Sequence, residues 1–126
     1  YEQNRILGQA LVQSKLELGG AVITSIVTKE QMEKFEVLPK HLDGIISQLR
    51  VTKDVEAAVF LYETEDGYKV SMRSNGGVDV ARVAMEYGGG GHVRAAGVSM
   101  EGNADEILEK ILEEMKKQLP SDASNR

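Results

Sequence analysis

The chain has no cysteine, no tryptophan, two prolines and two histidines in 126 residues. Without cysteine, disulfides, thiolate zinc sites and thiol nucleophiles are excluded together, and no redox compartment leaves its mark. No apolar run approaches the roughly 20 residues needed to span a bilayer, and the opening residues form no signal peptide. Tyr1 is not an initiator residue, so the expectation is a soluble, cytoplasmic fragment with more chain upstream. A surplus of positive charge is missing too: the net charge is −5, which argues against a broad basic face coating long nucleic acid.

What is present is enough for one domain: 41% of residues are hydrophobic, so a core can form without staples. Charge is unevenly placed. Between Gly67 and Val98, Lys69, Arg73, Arg82 and Arg94 face only Asp79 and Glu86, a balance of +2 that leaves −7 for the rest. An anion is steered toward that region.

Residues 1–10 carry Ile6, Leu7 and Ala10 at helical spacing and resemble the end of an interdomain linker helix. Loose alternation over Leu11–Leu18, then Gly19-Gly20, then Ala21–Val27 predicts a hairpin with a two-glycine turn. Thr28 and Gln31 form a capping box for a helix through Phe35. Pro39 opens another helix, with Leu42, Ile45, Ile46 and Leu49 on one face. Val55–Tyr62 is almost continuously apolar, as in a strand covered on both faces, and Asp66-Gly67 turns it into a strand over Tyr68–Ser74. Val80, Val83, Ala84 and Tyr87 recur at i, i+3, i+4 and i+7, predicting a helix that ends at Gly88, a residue suited to a left-handed C′ position. Ala95–Met100 supplies a fifth strand, and Asn103 with Glu106 caps a last helix bearing Ile107, Ile111 and Met115. Residues 11–119 therefore predict an α/β domain with a mixed sheet of about five strands flanked by helices, followed by a polar, disordered tail over 120–126.

Two groups of residues carry chemistry. In Gly88, Gly89, Gly90, Gly91 and His92, consecutive main-chain N–H groups can converge on an anion while the imidazole adds a donor. No Gly-Lys-Ser/Thr follows, which excludes a P-loop, and the run does not fit G-x-G-x-x-G. It also follows a helix, whose negative end points toward it, so loop amides and side chains must do the holding. The second group is Ser71, Arg73 and Ser74. Period two puts Ser71 and Arg73 on one face, and a guanidinium matches phosphate oxygens with paired donors. His41, behind Pro39, is expected at the surface. Glu106, Glu109, Glu113 and Glu114 decorate the solvent side of the last helix. Tyr62, Tyr68 and Tyr87 are expected to pack, with Tyr87, beside the glycines, the candidate for stacking on a purine.

The segment Val70–Val98 resembles the DHH-associated C-terminal domain of DHH-family phosphoesterases. The likeness rests on Ser71-Met72-Arg73-Ser74, Val78-Asp79-Val80 with Ala84, Gly88–Gly91 with His92, and Ala95-Ala96-Gly97, and extends more loosely over Leu11–Leu119. It is most similar to the branch of bifunctional oligoribonucleases and pAp phosphatases, with cyclic di-AMP phosphodiesterases sharing the glycine-histidine motif. The resemblance implies a substrate-binding lobe in which Ser71, Arg73, Ser74, Gly89, Gly90, Gly91 and His92 hold nucleotide phosphate. It also implies short single-stranded RNA or a nucleotide as ligand, and an upstream DHH catalytic domain as partner. The Asp-His-His motif and the manganese-binding aspartates of that family are absent, so no catalytic or metal residue is assigned here. Manganese is expected in the other domain, and the chain alone is expected to be inactive. An RNA-binding appendage like that of alanyl-tRNA synthetases, or a homodimerisation module in which glycines serve close packing, are the alternatives.

Overall fold

Alternating burial along Gly67–Ser74 sets the frame: Val70, Met72 and Ser74 are buried while Lys69, Ser71 and Arg73 are half-buried, so this strand separates two different environments. The computed structural model describes residues 1–120, and the tail over 121–126 lies outside the described residues. In chain order the elements are α1 (Glu2–Val12), β1 (Lys15–Glu17), β2 (Val22–Val27), α2 (Lys29–Lys34), α3 (Asp43–Arg50), β3 (Ala57–Glu63), β4 (Gly67–Ser74), α4 (Val80–Glu86), β5 (Gly90–His92), β6 (Ala95–Glu101) and α5 (Ala104–Lys116). The strands form one six-stranded sheet in the order β1-β2-β3-β4-β6-β5, parallel only between β2 and β3. The chain between those two parallel strands carries α2 and α3, as a parallel connection requires.

Each face of the sheet has its own core. On the upper face Ile23, Val27, Ala58 and Phe60 pack with Ile6 and Ala10 of α1, Met32 of α2, and Ile45, Ile46 and Leu49 of α3. On the lower face Val22, Val59, Leu61, Val70, Met72, Ala96 and Val98 pack with Val80, Val83 and Ala84 of α4 and Ile107, Ile111 and Met115 of α5. Strand β3 is buried from Ala57 to Leu61, which accounts for its continuous apolar run. The upper helices cover β2 and β3, and α3 reaches as far as β4. Beyond that helix the upper face over β4, β6 and β5 is bare among the described residues.

Four expectations need correction. Helix α1 runs through Val12, because Leu7 and Leu11 pack together on the upper core, and β1 shrinks to three residues. The β1–β2 turn is not a two-glycine turn: a single 3₁₀ turn over Leu18–Gly20 joins Glu17 to Val22, with Leu18, Gly19 and Gly20 all at positive φ. Pro39 opens a 3₁₀ turn, Pro39–Leu42, and the α-helix begins only at Asp43. The glycine run is not a loop, since Gly90–His92 forms a sixth strand paired with Ala95–Gly97.

Candidate functional site: the bare face over β4, β6 and β5

Register assembles the site. Arg73 on β4 is opposite Ala95 on β6, and Ala95 is opposite His92 on β5. One row toward the strand's start, Ser71 is opposite Gly97, and Gly97 is opposite Gly90. Directly paired residues project to the same face, so Ser71, Arg73 and His92 share the bare upper face above a floor of Gly90, Ala95 and Gly97. Two inter-strand steps separate Arg73 from His92, about 10 Å between Cα atoms. Small residues between them leave room for a ligand to lie against the main chain.

The glycines hold this arrangement in different ways. Gly88, at φ 88°, is the left-handed residue after α4: its N–H donates to Met85 O at 3.3 Å and the Gly89 N–H donates to Ala84 O at 2.8 Å, a Schellman pair. Gly91, at φ 146°, lies so close to β6 that a Cβ would fall 2.5 Å from Ala95 O and 2.6 Å from Ala96 Cα. A Cβ on Gly90 would meet nothing within 4 Å, so its openness is not required for packing. The Val93-Arg94 turn is fixed from below, where Val80 N–H donates to Val93 O at 2.9 Å and Ser74 N–H donates to Arg94 O at 3.0 Å. That last bond makes Ser74 and Arg94 a hydrogen-bonded pair, and alternation along the ladders then turns the main-chain N–H of Gly91 to the sheet's free edge.

The guanidinium of Arg73 makes only a long contact of 3.4 Å to the Met72 carbonyl, and no carboxylate pairs with it among the described residues. Lys69, on the same face, lies against Gly97, its Nζ 3.3 Å from where a Cβ there would stand. Arg73 and Ser71 also line a cavity of about 320 Å³ walled by Leu42, Asp43, Ile46, Phe60 and Tyr62. A larger cavity of about 650 Å³ lies between β1–β2 and α5 and shares no residue with this face. Of the two, only the smaller is lined by the guanidinium of Arg73 and the hydroxyl of Ser71.

One expected site residue, Ser74, lies elsewhere, and Tyr87 packs as expected and so loses its candidacy for stacking. Ser74 is buried on the lower face, where its Oγ accepts from the N–H groups of Gly76 at 3.0 Å and Val78 at 3.4 Å, holding the turn into α4. Tyr87 packs on the lower core and its hydroxyl donates to Lys110 O at 3.4 Å, so it cannot stack on a ligand above Arg73. Burial, then the carboxylates Glu114 and Glu86, raise its phenol above the usual tyrosine value. The aromatics on the correct face are the buried Phe60, opposite Ser71, and the half-buried Tyr62, opposite Lys69. The Asp66-Gly67 turn and period two contain that placement, because they set the register of β3 against β4. His41 accepts at Nδ1 from the Leu38 N–H at 2.9 Å and takes no part in the face. No group of three or more histidine, cysteine, aspartate or glutamate side chains comes together among the described residues.

A family model, the DHHA1 domain, matches residues 19–119. The chain belongs to the DHHA1 domain family. The match covers the whole sheet from the β1–β2 turn onward and every residue of the bare face. Among curated relatives, the bifunctional oligoribonuclease and PAP phosphatase NrnA of Thermus thermophilus is 33% identical over 116 residues, covering 91% of this chain and 34% of the relative. The enzyme of the same name from Mycoplasma pneumoniae is 30% identical over 98 residues, covering 78% of this chain and 29% of the relative. The chain thus spans about a third of the length of the curated relatives it matches. An exopolyphosphatase-related protein from Bacteroides fragilis superposes with a TM-score of 0.85 at 27% identity, over 92% of this chain and 34% of that one.

Proposed function

We propose that this DHHA1 domain is the substrate-gripping lobe of a phosphoesterase acting on short oligoribonucleotides and on 3′-phosphoadenosine 5′-phosphate. The carrying observation is the row Arg73–Ala95–His92, which puts a guanidinium with no carboxylate partner among the described residues and an exposed imidazole on one bare face across a side-chain-poor floor. Arg73 would grip a phosphate with paired N–H donors, and Ser71 would add a hydroxyl from the next row. Gly90, Gly91 and His92 would supply the far wall, the glycines by close main-chain approach and His92 by an N–H donor. Gly89 stands just outside this wall, packed against Gly97 and Val98. This lobe contributes orientation and charge stabilisation, which are the main demands of phosphoryl chemistry. Manganese and the residues that hold it belong, on this reading, to a DHH lobe elsewhere in a longer protein.

The test is titration of the chain with 3′-phosphoadenosine 5′-phosphate and with a trinucleotide of RNA, following amide resonances of Gly89–His92 and Arg73. The expected result is perturbation confined to β4, β5 and β6, with Arg73→Ala weakening binding by about 10- to 100-fold, the range of a charge-assisted contact. Unchanged affinity in Arg73→Ala, or perturbation centred on the β1–α5 cavity, would reject the assignment. On the alanyl-tRNA-synthetase-like alternative a long structured RNA binds far more tightly than the trinucleotide, with a steep salt dependence.

A further inference from the structure

The cavity between α3 and the β3–β4 hairpin is unused by the phosphate grip, although Arg73 and Ser71 form one of its walls. Its other walls differ in kind. Phe60 is buried beneath, Leu42 and Ile46 close the side, and the half-buried ring of Tyr62 stands 6.4 Å from that of Phe60 at a 39° tilt. Phe60 and Tyr62 are two residues apart on β3 and so project to the same face, one bracing the other. At the rim, the exposed Asp43 opens α3 and pairs with no cation among the described residues.

We propose that this cavity is a nucleobase subsite and that Asp43 makes it prefer bases carrying an exocyclic amino group. The proposal rests on the phosphate reading above, since Arg73 lines both places. About 320 Å³ is ample for one base, and the three chemistries a base presents all find a counterpart. Its flat face meets Tyr62, its body meets Leu42 and Ile46, and its hydrogen-bonding edge meets a carboxylate that can only accept. A carboxylate at that edge attracts the amino group of adenine, cytosine or guanine. Uracil offers it only one N–H, flanked on both sides by carbonyl oxygens that repel it. The same negative charge discourages a second phosphate from occupying the cavity, so base and phosphate are sorted to opposite sides of Arg73.

The experiment compares the chain with Tyr62→Leu, Tyr62→Phe, Asp43→Asn and Arg73→Ala variants by NMR titration against AMP, CMP, UMP and ribose 5-phosphate. Folding of each variant is checked by the dispersed amide signals of β2 and β3. Tyr62→Leu is expected to weaken AMP by about 5- to 150-fold, the range of one base stacked on an aromatic ring, while leaving ribose 5-phosphate unchanged. Tyr62→Phe should bind AMP as the parent does. Asp43→Asn should narrow the preference for AMP and CMP over UMP. If Arg73→Ala weakens all four ligands but Tyr62→Leu affects AMP no more than ribose 5-phosphate, the base subsite is overturned and the phosphate grip stands. If the parent prefers UMP, the role of Asp43 is overturned. If Arg73→Ala changes none of the four, the phosphate grip itself fails.

Discussion

Gly90 and Gly91 are neighbours with opposite requirements. Gly91 combines φ 146° with a close approach to Ala95 and Ala96, whereas the space above Gly90 is open. Gly91→Ala should therefore lower stability by about 1–3 kcal/mol, and Gly90→Ala should cost little, as read from urea midpoints. Equal losses would mean that the two positions are not distinguished by pairing with β6 and that the register of β5 differs from that described. In the sequence the two glycines look alike, and only pairing with β6 separates them. Gly88 was legible because a helix C-terminus is a local event. Ser74 was misplaced although the signal existed, since period two sends it away from Arg73, whereas the stripe that defines α4 points Tyr87 into the lower core, as its expected packing role requires.

At the scale of elements, the bare face depends on a joint between β4, α4 and the β5–β6 turn. Ser74 contributes twice, its Oγ accepting from Gly76 and Val78 and its N–H donating to Arg94 O. Ser74→Ala should cost about 1–3 kcal/mol, because it leaves amides at a buried turn without an acceptor. Ligand contacts at Arg73 should weaken only through this loosening, so a variant that binds normally at full stability would contradict the joint. Most elements were legible from capping and periodicity, including the Thr28–Gln31 box, whose two hydrogen bonds both form. Strand β5 was not, since Gly-Gly-His has no strand preference of its own. It becomes a strand only because α4 ends where β6 offers an edge, a tertiary fact with no local trace.

At the scale of the whole molecule, two tyrosines of the lower face tie folding to alkaline pH. Burial first, and then Glu63 and Asp105, raise the phenol of Tyr68, and Tyr87 is raised in the same manner. Lys117 is also raised, chiefly by its hydrogen bond to Glu114. All three shifts have one sign: the folded chain holds these protons more tightly than the unfolded one. Their contribution is complete below the ordinary values near 10 and is lost as pH rises through the folded values. The urea midpoint should fall above about pH 10, and Tyr68→Phe with Tyr87→Phe should flatten part of that fall. A midpoint that climbs with pH over this range would contradict the assignment. No helix among the described residues is long and apolar enough to cross a membrane.

The three-residue length of β5 has a consequence for self-association. A sheet six strands wide ends here in a stub, two of whose residues have no side chain with which to bind a neighbouring copy. Short terminal strands give poor templates for intermolecular pairing, whereas β6 alone would present seven residues of main chain to any passing strand. Damage to the glycine run should thus register first as clumping in sedimentation runs, before any loss of helical signal.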